Sequence, residues 1–257
     1  MSVFSRLRHY KEARLGLALL LIPLLISILF MWPYHVEFIA KGDIASVQEL
    51  GVDGSVNFTY VYSGVTETLW DRIDVMTVYG EDLQFYPLEN YTYEEYLASG
   101  EMAEGYKEAT VVNAVEYASA TSDSGKTNAL NDRVQEILSE STNYIGDSFG
   151  LMLSIGLVEE WEDVDFSQDG KYKIAGTGAM AADNTVGSVG AIRHKLLTAE
   201  ENQVDVFFVP ADKAYYIDPT FSNEYEAEQV MEEEDLQLKV VPVTTLDEAL
   251  TYLENLP

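Results

Sequence analysis

Cysteine is absent from this 257-residue chain, so neither a disulfide framework nor a thiolate metal site can form. Basic residues are also scarce, because 15 lysines and arginines face 44 aspartates and glutamates, which gives a formal charge of −29. A surface of this sign repels nucleic acid, and we expect no nucleic-acid partner. The acidity has two explanations: solubility or adaptation to salt, or attraction of a basic peptide substrate.

The first 32 residues differ from the rest, since they carry a net charge of +3 and leave −32 for the remainder. Residues 15–32 are almost entirely apolar, and at about 1.5 Å per residue they just cross a hydrocarbon core of about 30 Å. The charge bias predicts a cytoplasmic basic tail at 1–14, a transmembrane helix at 15–34 and an extracytoplasmic remainder. A cleaved signal peptide is the alternative, but no small-residue cleavage site follows the apolar run.

Residues 35–120 are expected to form the N-terminal part of the extracytoplasmic region, with one strand and helices. Polar and apolar residues alternate over 55–62, which is typical of a half-buried strand. Helices are predicted over 66–76 and 107–118. The second of these has its predicted inward face at Ala109, Val112, Val115 and Ala118.

Residues 121–257 alternate between helical and strand patterns, which predicts a layered α/β domain. The predicted helices cover 128–140, 151–158, 189–201, 223–234 and 245–256, and the strands cover 172–175, 204–209 and 238–243. A glycine-lysine-threonine run at 125–127 lies in the polar loop before the first of these helices. It is not a phosphate-binding loop, because Ala120 stands where that motif requires a glycine. We therefore expect no nucleotide cofactor, and no metal site either.

Two residues carry the chemistry: Ser148, within Gly146-Asp-Ser-Phe-Gly150, and Lys195. A serine hydroxyl is a poor nucleophile until a base removes its proton. Lysine can act as that base when burial in apolar surroundings lowers its pKa. Gly146 and Gly150 allow a tight turn, which brings main-chain N–H groups close to a substrate carbonyl.

These residues alone leave other interpretations open. Ser148 fits any small-residue turn, and Lys195 fits a solvated helix face. The Gly-x-Ser-x-Gly pattern also describes the nucleophile turn of esterases, which needs a later acid and histidine. His194 is the one histidine after Ser148, and it adjoins Lys195 on the same predicted helix.

Five stretches, at 146–154, 173–178, 186–195, 206–210 and 240–250, resemble the proteolytic domain of the Lon family in their order and spacing. The resemblance is greatest to the membrane-anchored, ATPase-free branch that bears a PDZ domain. It implies the Lon proteolytic fold for residues 121–257, with Ser148 as nucleophile and Lys195 as general base. It also implies that the Thr177 hydroxyl helps to hold Lys195, and that the chain assembles into a homo-oligomeric ring.

The chain departs from that family at three points, the mildest of which is Gly190-Ala-Ile-Arg193 in place of Gly-Gly-Ile-Lys. Asp147 and Phe149 replace the proline and alanine that usually flank the serine, and the region before Ser148 is too short to hold a PDZ domain. A carboxylate beside the nucleophile favours the charged form of Lys195. The resemblance thus implies an ATP-independent serine endopeptidase that acts on peptides or unfolded chains, and the apolar N-terminal run places it at a membrane, outside the cytoplasm. The alternative is a catalytically silent Lon-fold protein that binds peptides or serves as a scaffold.

Overall fold

A computed structural model describes residues 11–88, 93–121 and 130–257 of the chain. Most of the predicted basic tail and the glycine-lysine-threonine run at 125–127 lie outside the described residues. The chain divides into two compact units, a smaller one formed by 1–39 and 63–93 and a larger one formed by 40–62 and 94–257.

Helices and strands alternate along much of the chain, and the predicted α/β class is confirmed. The helices are α1 (Lys11–Phe30), α2 (Leu69–Tyr79), α3 (Tyr93–Thr121), α4 (Leu130–Glu140), α5 (Gly150–Glu162), α6 (Ile192–Glu201), α7 (Asn223–Glu233) and α8 (Leu246–Glu254). The strands are β1 (Pro33–Ser46), β2 (Asn57–Thr68), β3 (Leu83–Pro87), β4 (Ile174–Gly176), β5 (Ala179–Met180), β6 (Val186–Gly187), β7 (Val206–Pro210) and β8 (Lys239–Val243).

The smaller unit contains α1, α2, β3 and the parts of β1 and β2 at 33–39 and 63–68, and the remaining parts of β1 and β2 belong to the larger unit. A capping box begins α2: the Thr68 hydroxyl accepts from Asp71 N at 3.3 Å, and the Asp71 carboxylate accepts from Thr68 N at 2.8 Å. The leucines and isoleucines of α1 are exposed to solvent or half-exposed. Within the described part of the chain, no helix has both the length and the apolar character that crossing a membrane requires.

The larger unit is built on a sheet with the strand order β1-β2-β4-β7-β8. Its last four strands run parallel, so their carboxyl ends lie along one edge of the sheet. The short hairpin of β5 and β6 follows β4 in the chain and forms a separate antiparallel pair. In open parallel sheets the carboxyl edge is where ligand sites form.

Alternate residues of the sheet pack into two different cores. Phe208 of β7 belongs to the core that includes α3, α4, α5 and α8, whereas its neighbour Phe207 belongs to the core that includes α6 and α7. Helix α5 is buried on every side from Gly150 to Glu159, which places it at the centre of the first core. The larger unit therefore has three layers, with helices on both faces of one sheet.

Several element boundaries differ from the predicted ones. Strand β1 was not predicted, and β2 extends six residues beyond the predicted strand. The predicted helix over 189–201 begins at Ile192, because Ala191 adopts a left-handed backbone conformation with φ of 62°. On α3, Val115 and Ala118 are buried as predicted, but Ala109 is exposed.

Glu159 fixes α5 to two neighbouring loops. It is 3% exposed, and its carboxylate accepts from Ser55 N at 2.8 Å, from Ser55 Oγ at 2.5 Å and from Phe166 N at 2.9 Å. Burial raises the pKa of Glu159, and these hydrogen bonds act against that rise. A buried carboxylate is tolerated here because its oxygens are hydrogen-bonded.

We expect Glu159→Leu to lower the free energy of unfolding by roughly 2–4 kcal/mol, because it leaves main-chain donors at Ser55 and Phe166 without an acceptor. Urea denaturation measures the change. The control is Glu162→Leu, at an exposed position of the same helix. Equal stability losses in the two variants would contradict the prediction.

Candidate functional site

Ser148 lies in a turn that leads directly into α5. Gly146 begins this turn with φ of 82°, a conformation that glycine adopts without strain. Gly150 N donates to Asp147 O at 2.9 Å and closes the turn. Ser148 itself is half-buried, whereas Gly150 and the helix that follows are buried. The hydroxyl of Ser148 therefore stands at the edge of the core rather than inside it.

Gly150 is needed for space rather than for its backbone conformation. A Cβ atom placed on Gly150 would lie 2.3 Å from Thr110 Oγ1 and 2.8 Å from Met180 N. No side chain fits at such distances without displacing main-chain atoms. The two glycines of the motif are thus required for different reasons. Gly146 adopts a left-handed backbone conformation, and Gly150 leaves room for Thr110 and Met180 beside the start of α5.

Thr177 follows β4 at the carboxyl edge of the sheet and is fully buried. Its Oγ1 donates to Ser148 O at 3.0 Å and accepts from Lys195 Nζ at 2.9 Å. Gly178 N also donates to Ser148 O, at 2.8 Å. The segment after β4 therefore joins the serine turn to Lys195. The serine turn precedes α5 on one face of the sheet, and Lys195 comes from α6 on the other face.

Lys195 is 2% exposed and lies on α6 beside Ile192 and Leu196, which are both fully buried. Burial lowers the pKa of Lys195 from 10.5 to about 7, and the negative charges of Asp147 and Glu226 limit the decrease. A lysine with this pKa is largely neutral above pH 7. The contact between Thr177 and Lys195 that the family resemblance implies is present.

The direction of these hydrogen bonds constrains the amine. Thr177 has one hydroxyl proton, and that proton is used in the bond to Ser148 O. The Thr177 oxygen must therefore accept an N–H from Lys195, and the lone pair of the neutral amine stays available for another proton. A free lone pair on a neutral amine is one of the features that a general base requires.

Asp147 is half-buried beside the serine. Burial raises the pKa of its carboxyl group, and the positive charge of Lys195 acts in the opposite direction. The effect is mutual, because an ionised Asp147 raises the pKa of Lys195. An ionised Asp147 therefore lowers the neutral fraction of Lys195 at a given pH, as its position in the sequence suggested.

Phe149 belongs to the core. It is 2% exposed and packs against Phe58, with ring centroids 5.8 Å apart. The aromatic side chain points away from solvent and anchors the serine turn. Asp147 thus acts on Lys195 electrostatically, whereas Phe149 acts through packing.

Sequence reasoning brought together Ser148, Lys195, Thr177 and Asp147, but it missed Glu226 and Thr110. Glu226 accepts from Arg193 N at 3.1 Å, and its charge reaches Lys195. Its acidic helix gave no signal of this contact, because Glu226 is one of several glutamates there. Among the described side chains, no cluster of histidine, aspartate and glutamate is arranged to hold a metal ion.

The lowered pKa of Lys195 makes folding depend on pH. Between about pH 7 and 10.5 the unfolded chain holds a proton on Lys195 that the folded chain has released, so stability rises with pH in this window. Between pH 7 and pH 9 we expect this group to raise the free energy of unfolding of the parent by about 2–3 kcal/mol, and we expect Lys195→Met to abolish that increase. Urea denaturation across this range, with the parent chain alongside, tests it.

Asp147→Asn is the matched variant, because it keeps Lys195 but removes the charge that raises its pKa. In this variant the rise in stability should begin at a lower pH than in the parent. A parent and a Lys195→Met variant with the same pH dependence would show that Lys195 is not a buried neutral amine.

The chain matches no protein-family model, and no curated protein is significantly similar to it in sequence.

Proposed function

We propose that this protein is an ATP-independent serine endopeptidase of the Lon type, with Ser148 as nucleophile and Lys195 as general base. The observation that carries the proposal is the buried Lys195 amine, held at 2.9 Å by the Thr177 hydroxyl, which is itself bonded to the carbonyl of Ser148 at 3.0 Å. Burial this complete disfavours the ammonium form of Lys195, and strongly shifted pKa values cluster at functional sites.

In the proposed reaction, neutral Lys195 takes the proton of the Ser148 hydroxyl while Oγ bonds to the carbonyl carbon of a peptide. The ammonium then protonates the leaving nitrogen, the C–N bond breaks, and an acyl-enzyme remains. Water then gives a proton to Lys195 and bonds to the acyl carbon, the C–Oγ bond breaks, and the ammonium returns the proton to Ser148 Oγ as the acid product leaves. Main-chain N–H groups near the start of α5, together with the dipole of that helix, would stabilise the oxyanion.

The proposed substrates are peptides, flexible tails and chains that are already unfolded. Such substrates enter an active site without an ATP-driven unfolding step. The charge of −29 favours basic substrates, because cationic peptides accumulate near an acidic surface at low ionic strength. Cleavage should therefore weaken as salt is added.

Asp147 supports a second candidate function, a Lon-fold protein that binds peptides without cleaving them. Its charge favours the ammonium form of Lys195, and an ammonium cannot act as base. The two candidates differ in one respect, since only the peptidase forms a covalent acyl intermediate at Ser148.

We expect the full chain to cleave casein without ATP, and Ser148→Ala and Lys195→Ala each to reduce the rate by at least about 1000-fold. The rate should rise with pH through about 7, as Lys195 loses its proton. Peptide release followed by mass spectrometry measures the rate. The control is Lys171→Ala, because Lys171 is an exposed lysine outside the site.

Loss of activity in one of the two site variants but not in the other would reject the Ser148–Lys195 pair. Absence of cleavage by the folded parent, with casein still bound, would favour the silent binding protein. In that case Asp147→Asn tests whether the carboxylate is what silences the site.

The proposal includes attachment to a membrane through residues 15–34, an extracytoplasmic catalytic region and assembly into a ring. The long apolar run and the basic residues before it support the attachment. The ring follows from the family resemblance.

We expect Leu20→Lys combined with Leu24→Lys to release the full chain from membranes, because each central lysine costs about 2.5–3.5 kcal/mol of insertion free energy. Alkaline extraction of membranes measures the release. The control Val78→Lys, at an exposed residue of α2, should leave the distribution unchanged. A parent chain that is itself extracted at alkaline pH would contradict the anchor.

A further inference from the structure

A row of polar side chains lies along α3, at Lys107, Thr110 and Asn113. The three positions are one helical turn apart and share one face. Lys107 is 4% exposed and Thr110 2% exposed, and Asn113 is half-buried. Burying such groups is unfavourable unless each is hydrogen-bonded. A neighbouring face of α3 is apolar and packs in the core, so burial of the polar row needs a separate reason.

Thr110 and Asn113 hold the main chain of Met180. Thr110 Oγ1 accepts from Met180 N at 2.6 Å and donates to Met180 O at 3.4 Å, and Asn113 Nδ2 donates to the same oxygen at 2.8 Å. Met180 lies three residues after Thr177. Both polar main-chain atoms of Met180 are thereby fixed to α3, and they anchor the far end of the segment that begins at Thr177.

Thr110 also faces the start of α5. Its Oγ1 occupies the place where a side chain on Gly150 would begin, at 2.3 Å from that ideal Cβ position. Leu151 N donates to Gly178 O at 2.9 Å, and Gly178 N donates to Ser148 O at 2.8 Å. The serine turn and the segment after β4 are thus joined to each other, and Thr110 packs against both.

Lys107 holds the chain just before the serine turn. Its Nζ donates to Tyr144 O at 3.1 Å, and it forms an ion pair with Glu104 at 2.8 Å. Tyr144 precedes Ser148 by four residues. The row therefore binds the chain on both sides of the site: before Ser148 through Lys107, and after Thr177 through Thr110 and Asn113.

Reaction rates depend steeply on such placement, since an error of about 1 Å between reacting groups can reduce a rate about 100-fold. Ser148 and Lys195 come from opposite faces of the sheet and meet through Thr177. Whatever fixes the segment 177–180 against the serine turn also fixes the separation of nucleophile and base.

We infer that Thr110 is a positioning residue for the peptidase reaction, setting the distance between Ser148 and Lys195 by locking Met180 and the start of α5 to helix α3. This inference rests on the proposed function. Thr110 acts through Met180 and Gly150, and it takes no part in the transfer of protons or acyl groups.

The experiment compares Thr110→Val with Thr110→Ser in the full chain, kept in mild detergent. Valine keeps the shape of threonine but loses the hydroxyl, whereas serine keeps the hydroxyl. The control is Tyr117→Phe, which removes a buried hydroxyl from the same helix; that hydroxyl donates to Asp247 of α8. Urea denaturation establishes that all variants are folded.

A peptidyl β-lactone is the first probe. Ser148 Oγ forms an ester with the lactone carbonyl carbon, the ring C–O bond opens, and the ring oxygen takes the proton that Lys195 removed from the serine. We expect Thr110→Val to slow this acylation about 10- to 100-fold. With casein-derived peptides kcat should fall while KM changes little, and Thr110→Ser should restore most of the rate. Tyr117→Phe should acylate at the parental rate.

Hydrogen exchange of the Gly178 and Leu151 amides is the second probe, and it needs no activity. Thr110→Val should speed exchange at both amides, and Tyr117→Phe should not. Slower acylation with unchanged exchange, or equal effects of Thr110→Val and Tyr117→Phe on both probes, would overturn the inference. If the parent itself is not acylated, the proposed function fails, and unchanged exchange in Thr110→Val then rejects the positioning role as well.

Discussion

The Thr177 hydroxyl is the contact on which the site depends. It is held between Lys195 Nζ and Ser148 O, and its single proton determines the direction of both bonds. Because Thr177 follows β4, its position is set by the parallel pairing of β4 with β2 and β7. Two helices on opposite faces of a sheet can place their side chains together only at a strand end, and the carboxyl end of β4 provides that place.

The same arrangement carries a thermodynamic penalty. Lys195 is 2% exposed and has a pKa of about 7. Because its charged form loses hydration on folding, the folded protein is less stable at neutral pH. Asp147 and Glu226 reduce this penalty, but they also reduce the supply of neutral amine. Stability at neutral pH and the supply of neutral Lys195 are therefore opposed, and the two carboxylates set the balance between them.

Local sequence patterns predicted the elements whose signals are local. Helix α8 begins at the predicted Thr245 cap, and the apolar runs at β7 and β8 are strands. Strand β1 was not predicted: polar and apolar residues alternate only over 34–38, and pairing rather than pattern makes the rest of it a strand. Ser148 and Lys195 were selected through motifs, whereas Thr110 was not. Thr110 bonds to Met180, 70 residues away, and no local pattern encodes such a contact.

The site is assembled from distant parts of the chain, and it therefore forms late in folding. Residues near 110, 148, 177 and 195 must all be in place, and β4 needs β7 beside it before Thr177 is fixed. Contacts of such long sequence separation form late, because loop closure must precede them. A chain that is still being made, or that is only partly folded, therefore lacks the aligned serine and lysine. The arrangement of Ser148 and Lys195 is therefore set by the topology only when folding of the larger unit is complete.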